Sequence, residues 1–223
     1  MKITRHIPNA ITSLNLFAGS IATYYAFKGE FEITFFAVIL AAFFDFLDGF
    51  AARLLKAYSP MGKELDSLAD VISFGMAPGA IVFSMLEMSD LPSWVSFVGF
   101  IIPVFSALRL AKFNIDERQT DSFIGMPTPA NALFWIGISF SFAGFLAEHP
   151  WVLLIATVVF SLLLVSEIPM IALKFKGLDW KQNSSRYLFL GGCVVLLIGF
   201  QFNAVWMIIL WYTTASIFLP ARA

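Results

Sequence analysis

The apolar residues of this 223-residue chain are gathered into eight runs, near 9–27, 31–57, 64–86, 92–113, 129–147, 151–173, 186–201 and 203–219. Most have the length of roughly 18 to 25 residues that a helix needs to cross a hydrocarbon layer about 30 Å thick. A soluble core of this size has no room for such runs, because 59% of the residues are hydrophobic, 13% are charged and 26 are phenylalanine. The chain is therefore predicted to be an all-α polytopic membrane protein with about eight transmembrane helices. The last two runs are short and closely spaced, so a hairpin or a re-entrant pair is an alternative for them.

Connections between the runs are brief, and no linker, repeat or low-complexity tract marks a second domain, so residues 1–223 read as a single integral membrane domain. The sole cysteine, Cys193, excludes a disulfide framework within one chain and reads as a packing residue. Lys2 and Arg5 before an apolar run could suggest a signal peptide, but Asn15 interrupts the run and no A-x-A site follows, which favours a retained first helix. With a cytoplasmic N-terminus and eight spans, Lys2, Arg5, Arg53, Lys56, Lys63, Arg109, Lys112, Arg118, Lys174, Lys176, Lys181, Arg186 and Arg222 fall at or near cytoplasmic ends, and Lys28 alone falls outside. This bias orients the chain in the cell membrane. No basic patch with interleaved aromatics points to nucleic acid.

Against this background the stretch FDFLDGFAARLLKAYSPMGKELDSLAD, from Phe44, is anomalous in its carboxylates. Asp45 and Asp48 lie toward the cytoplasmic end of the second run and Asp66 and Asp70 at the start of the third, with Pro60 and Gly62 expected to break the helical pattern between them. At about 100° per residue, Asp45, Asp48, Gly49 and Ala52 share one stripe, with Arg53 at its edge. On the next helix Gly62, Asp66, Asp70, Ser73 and Ala77 share another. Two acidic faces on antiparallel neighbours can converge.

Convergence is costly. Each aspartate at membrane depth costs about 2.5 to 3.5 kcal/mol, less near the interface, and carboxylates 4 Å apart repel by roughly 4 kcal/mol at an effective dielectric near 20. Arg53 is one charge against four. All-oxygen ligation suits a hard cation such as Mg²⁺ or Mn²⁺, and four carboxylates suffice for two ions. The plainer reading, a solvated acidic turn, fits isolated aspartates better than four on two facing stripes. Glu64 projects elsewhere and reads as solvated.

Asp45, Asp48, Gly49, Ala52 and Arg53, followed after eight residues by Gly62, Asp66 and Asp70, resemble the complete signature of the CDP-alcohol phosphotransferases. The segment Pro8, Asn9 and Thr12, leading to Asn15 and Gly19, is similar to that family's nucleotide-side element. The resemblance implies a core of six transmembrane helices, a cytoplasm-facing cavity, a dinuclear metal site and a homodimer. It implies Asp45, Asp48, Asp66 and Asp70 as metal ligands, with Asp70 also the general base. It implies Asn15, Asp48, Gly49, Ala52, Arg53, Gly62 and Ser73 as the CDP-lipid site. An arginine snorkelling at a helix end is the alternative for Arg53.

Two further stretches, ALRLAKFN (Ala107 to Asn114) and SFIGMPTPANA (Ser122 to Ala132), resemble the phosphatidylserine synthase branch of that family, as does the run from Ser73 to Gly79. Lys112, Met126 and Asn131 stand where that branch's pattern has arginine, leucine and alanine, and no role follows for Asn131. Serine is a zwitterion whose carboxylate calls for a guanidinium or ammonium. Arg109 and Lys112 stand at a cytoplasmic helix end, with Asn114 and Thr128 as further polar candidates; the orientation signal, or lipid phosphate, is the alternative for the two cations.

The resulting expectation is transfer of a phosphatidyl group from CDP-diacylglycerol to the hydroxyl of L-serine, with release of CMP and the lipid product left in the cytoplasmic leaflet. Glycerol 3-phosphate or an inositol phosphate as acceptor is the nearest alternative, and a divalent-cation transporter the alternative from another class. Glu167, in the sixth run, pairs with a neighbouring helix or lies nearer the surface. His6 and His149 fall on opposite sides of the membrane, and Trp94, Trp151, Trp180 and Tyr187 read as interfacial anchors.

Overall fold

The computed structural model describes residues 6–116, 123–171 and 180–218, without the side chains of Phe123, Trp180, Lys181 and Gln182. Lys2, Arg5, Arg118, Ser122, Lys174, Lys176 and Arg222 lie outside the described residues, as do the side chains of Trp180 and Lys181.

Eight helices are described: α1 (Ile7–Phe27), α2 (Phe31–Leu54), α3 (Pro60–Glu87), α4 (Ser93–Ile115), α5 (Thr128–Glu148), α6 (Pro150–Val165), α7 (Trp180–Phe200) and α8 (Ala204–Phe218). A two-residue antiparallel pair, β1 (Phe123–Ile124) with β2 (Pro169–Met170), is the only strand pairing among the described residues. Four helices, α2, α3, α4 and α5, are each long and apolar enough to cross a membrane, as is the stretch Asn183–Phe218 that holds α7 and α8. The 21 residues of α1 give it spanning length, and α6 is shorter. The protein is a multi-pass membrane protein.

Small residues line the seam between α1 and α2, while Phe35, Phe74 and Trp135 are large side chains that are also fully buried. Ala18, Ala22, Ala26, Ala37, Val38 and Ala41 are buried where α1 and α2 pack, while Phe17, Phe43, Phe46 and Phe50 are exposed. This is the pattern expected where lipid replaces water, since helix association then depends on close approach rather than on hiding apolar surface. Among the described glycines the closest approach is at Gly19 of α1, where an added Cβ would lie 2.0 Å from Ser73 Oγ and 2.6 Å from Ser73 Cα.

Several boundaries differ from those read in the sequence. The expected break falls at 55–59, and Pro60 and Gly62 open α3 just after it: Ser59 accepts a hydrogen bond from Gly62 N at 3.0 Å, and proline at the first helical position lacks only an N–H that would be unpartnered there. Within α3, Val71–Met76 is a π-helical turn. Pro78, just beyond it, has no N–H to donate and crowds the carbonyl of Phe74, and a widened turn relieves that conflict. The run at 151–173 ends as a helix at Val165, because Ser166 is extended and Pro169 follows shortly after. The last two runs fold back as a helical hairpin: Trp211 Nε1 donates to Phe189 O at 3.3 Å, and Gly192 sits under the Trp211 indole. Gln201, with φ of 51°, turns the chain.

Candidate active site

Helices α2 and α3 bring Asp45, Asp48 and Asp66 together, with one carboxylate oxygen of each within 4.8 Å of the others. Asp48 is buried and the other two are half-buried. Asp48 Oδ2 and Asp66 Oδ1 are buried without a hydrogen-bond partner. A hard divalent cation fits such a site, because it is bound by carboxylate oxygens and supplies the charge that three crowded carboxylates lack.

Asp70 stands apart from that triad. It is buried at the last α-helical turn before the π segment, and Asn15 Nδ2 of α1 donates to its Oδ1 at 3.4 Å. The charges acting on it are Asp45, Asp66 and Arg109, so it adjoins the cluster while facing α1. Ser73 Oγ donates to the Asn15 carbonyl at 3.1 Å. Its hydroxyl thus ties α3 to α1 directly beneath Asp70. Across the start of the π turn the expected stripe still faces α1, with Gly62 beside Asn9, Asp70 beside Asn15 and Ser73 beside Asn15 and Gly19.

Beside the carboxylates lies a cleft of about 220 Å³, lined by Pro8, Asn9 and Thr12 of α1, Asp48, Gly49 and Ala52 of α2, the turn Ala57 to Ser59, and Gly62, Lys63 and Asp66 of α3. A Cβ on Gly49 would meet nothing within 4 Å, so this backbone is open to a close-approaching ligand. Of the residues expected at a nucleotide, Asp48, Gly49, Ala52 and Gly62 line the cleft. Asn15 and Ser73 are buried below it, and Arg53 is exposed at the helix end. Tyr58, Ser59 and Lys63 were not singled out by sequence reasoning. The spacing of Lys63 to Asp66, nearly one helical turn, was the available signal.

The acceptor candidates separate on inspection. Arg109 is buried, with its guanidinium 4.9 Å from the Phe113 ring centroid. Its Nε has no hydrogen-bond partner, and Asp70 and Tyr212 are the groups in electrostatic reach. Thr128 at the start of α5 is fully buried with an unpartnered Oγ1, and Asn131, one turn on, is buried with neither amide atom partnered. The rings of Phe35 and Phe140 meet at 4.9 Å and a tilt of 38°, and counting along the two helices from that contact brings Thr128 and Asn131 to about the depth of Asp45 and Asp48. Lys112 and Asn114 already have protein partners. Lys112 forms an ion pair with Glu167, so Glu167 both pairs and lies near the surface. Asn114 Nδ2 donates to Ser67 Oγ at 2.9 Å, and Lys63 Nζ donates to the Asn114 carbonyl at 2.9 Å.

A model of the CDP-alcohol phosphatidyltransferase family matches residues 5–173. A protein of Mycobacterium leprae named CDP-diacylglycerol–serine O-phosphatidyltransferase is 34% identical over 174 residues, covering 74% of this chain and 57% of the relative. The match thus spans little more than half of that relative's length. Proteins of the same name are 35% identical in Bacillus subtilis over 163 residues, covering 73% of this chain and 88% of the relative, and 34% identical in Methanocaldococcus jannaschii over 162 residues, covering 73% and 72%.

Proposed function

This chain belongs to the CDP-alcohol phosphatidyltransferase family, a family of metal-dependent phosphotransferases, and from that premise we propose that it transfers a phosphatidyl group from CDP-diacylglycerol to L-serine, releasing CMP. The observation that carries the reading is the convergence of Asp45, Asp48 and Asp66 in a chain more than 30% identical to several serine transferases.

In this reading Asp45, Asp48 and Asp66 hold two ions, Mg²⁺ or Mn²⁺, with Asp70 as a further ligand. When bound, such ions neutralise the pyrophosphate oxygens and the charge that develops on the leaving phosphate. The cleft from Pro8 to Asp66 takes the CDP moiety, where Gly49 and Ala52 leave the backbone accessible and Lys63 and Arg53 offer positive charge. Asp70, oriented by the Asn15 amide, accepts the proton of the serine hydroxyl. The serine oxygen forms a bond to the lipid-side phosphorus as the bond from that phosphorus to the CMP oxygen breaks. Arg109 holds the serine carboxylate, since a buried guanidinium with no carboxylate ion pair among the described residues is suited to an anionic ligand. Thr128 supplies a hydroxyl near it. Lys112 and Asn114 are left out of this assignment because Glu167 and Ser67 engage them.

The proposal includes a site facing the cytoplasm from the cell membrane, supported by Arg53, Lys56, Lys63, Arg109, Lys112 and Arg186 at one set of helix ends and Lys28 at the other. It also includes assembly as a homodimer. An acceptor panel tests the reading: purified protein with CDP-diacylglycerol and Mn²⁺ is offered serine, glycerol 3-phosphate, inositol and inositol phosphate, and CMP release is measured. Release stimulated by serine alone supports it, and release driven by a phosphorylated acceptor contradicts it.

A further inference from the structure

Helices α3 and α4 pack along a close seam. At the end remote from the carboxylates, a Cβ added to Gly99 of α4 would lie 2.6 Å from Gly79 O and 2.8 Å from Phe83 N. Farther along, a Cβ added to Gly75 of α3 would lie 3.1 Å from Ser106 Cβ. In the last turn of α4, Asn114 Nδ2 donates to Ser67 Oγ at 2.9 Å. Each step toward the C-terminus of α4 is thus matched by a step toward the N-terminus of α3, so the helices are antiparallel in one continuous register. Counting along both between the Ser106 and Asn114 contacts brings Arg109 to about the level of Asp70.

Asn114 is held at two points. Besides the bond from its amide to Ser67, its carbonyl accepts from Lys63 Nζ at 2.9 Å. That carbonyl is one of the last four of α4, which have no donor within their own helix, and an ammonium group suits the negative end of the helix dipole. Lys63 and Ser67 stand one turn apart on α3, beside the stripe that carries Asp66 and Asp70.

The position of Arg109 depends on this seam. Its guanidinium lies 4.9 Å from the Phe113 ring centroid, but Phe113 belongs to the same helix and moves with it. What fixes the guanidinium relative to Asp70 is therefore the register of α4 on α3. Arg109 is less than two turns from the end of α4 at Ile115, where a helix frays unless it is tied down. The Asn114 contacts supply that tie.

We propose that Ser67 and Asn114 form a clasp that sets the register of the last turns of α4 on α3 and so holds Arg109 level with Asp70, ready for the acceptor. The inference rests on Arg109 serving the acceptor, as in the reading above. It makes Ser67 and Asn114 positioning residues that act through Arg109.

The test is a double-mutant cycle in the full-length protein, with Ser67→Ala, Asn114→Ala and the two combined. Lys63 is kept, because it also lines the CDP cleft. Apparent KM is measured for the acceptor that wild-type protein uses, whether serine or another in the panel, and separately for CDP-diacylglycerol. Hydrogen exchange in the last turns of α4 is followed by mass spectrometry in detergent. Each single variant should raise the acceptor KM about threefold to tenfold, the size of one neutral hydrogen bond, speed that exchange, and leave the CDP-diacylglycerol KM unchanged. The combined variant should be no worse than either single one, since both remove the same bond. Ser67→Thr, which keeps the hydroxyl, should retain the wild-type acceptor KM. An unchanged acceptor KM in Ser67→Ala, faster exchange without a change in that KM, or defects that add fully would overturn the assignment. So would a defect in Asn114→Ala with Ser67→Ala silent, which would make Asn114 a ligand of the acceptor. Wild-type preference for an acceptor other than serine would instead remove the serine reading while leaving the cycle in force, and no turnover with any acceptor would overturn both.

Discussion

Replacing Gly19 by alanine tests whether the close contact between α1 and α3 holds the site in shape. The new methyl would lie 2.0 Å from Ser73 Oγ, 2.6 Å from Ser73 Cα and 2.7 Å from Ser73 Cβ. Rotating the hydroxyl removes only the first of these contacts. The other two involve the π turn itself, and reaching an ordinary carbon separation of about 3.5 Å requires the helices to part by roughly 1 Å. Asn15 is one turn from Gly19, and it carries both the 3.1 Å bond from Ser73 and the 3.4 Å bond to Asp70. The same displacement lengthens both beyond hydrogen-bonding range. Overpacking of this kind costs about 1 to 3 kcal/mol and each lost hydrogen bond about 1 kcal/mol. A 1 Å misplacement of a catalytic group costs on the order of 100-fold in rate. The assay is thermal unfolding in detergent together with CMP release at saturating substrates. Wild-type midpoint and turnover in Gly19→Ala would refute the claim that this contact positions Asp70.

Arg109→Ala should raise the serine KM about tenfold to a hundredfold, the value of a charge-assisted hydrogen bond of roughly 1.5 to 3 kcal/mol. It should leave the CDP-diacylglycerol KM unchanged, and Arg109→Lys should rescue only in part. Because burying this guanidinium without a carboxylate ion pair costs stability, the alanine variant should unfold at no lower temperature than wild type, which calorimetry in detergent checks. Lys112→Ala should change stability by less than about 1 kcal/mol, because its ion pair with Glu167 has side-chain exposures of 37% and 61%. It should also leave serine KM within about twofold, and a large rise in that KM would return Lys112 to the acceptor site.

The helices and the acidic cluster were readable from the sequence because each rests on local periodicity. The apolar runs mark the ends of α1 to α8 within four residues, except that the sixth overshoots α6 by eight and the seventh begins six residues inside α7; the spacing from Asp45 to Asp48 and the four-residue step from Gly62 to Asp66 survive because those segments are regular helix. Asp70 continues the same regular helix, and what the sequence could not show is the bond it accepts from Asn15, 55 residues away in the chain. Lys112 and Asn114 could not be assigned from their helix alone, since Glu167 and Ser67 lie 55 and 47 residues away in the chain. The bond from the Tyr212 hydroxyl to the Ile171 carbonyl was hidden for the same reason, since the two residues lie 41 positions apart in the chain. The break expected around Pro60 is present at 55–59, and Pro60 itself falls just inside α3 because the residue that breaks a helix in its interior favours one at its first position.

The most direct measurement of the central claim is incorporation of labelled L-serine into lipid by the purified protein supplied with CDP-diacylglycerol, with Mn²⁺ or Mg²⁺ added or chelated, for wild type and for Asp45→Asn. The account predicts labelled phosphatidylserine from wild type with either cation, none after exhaustive chelation, and none from Asp45→Asn, whose neutral amide is a poor ligand for a hard cation. Undiminished incorporation after chelation, or full incorporation by Asp45→Asn, would contradict it.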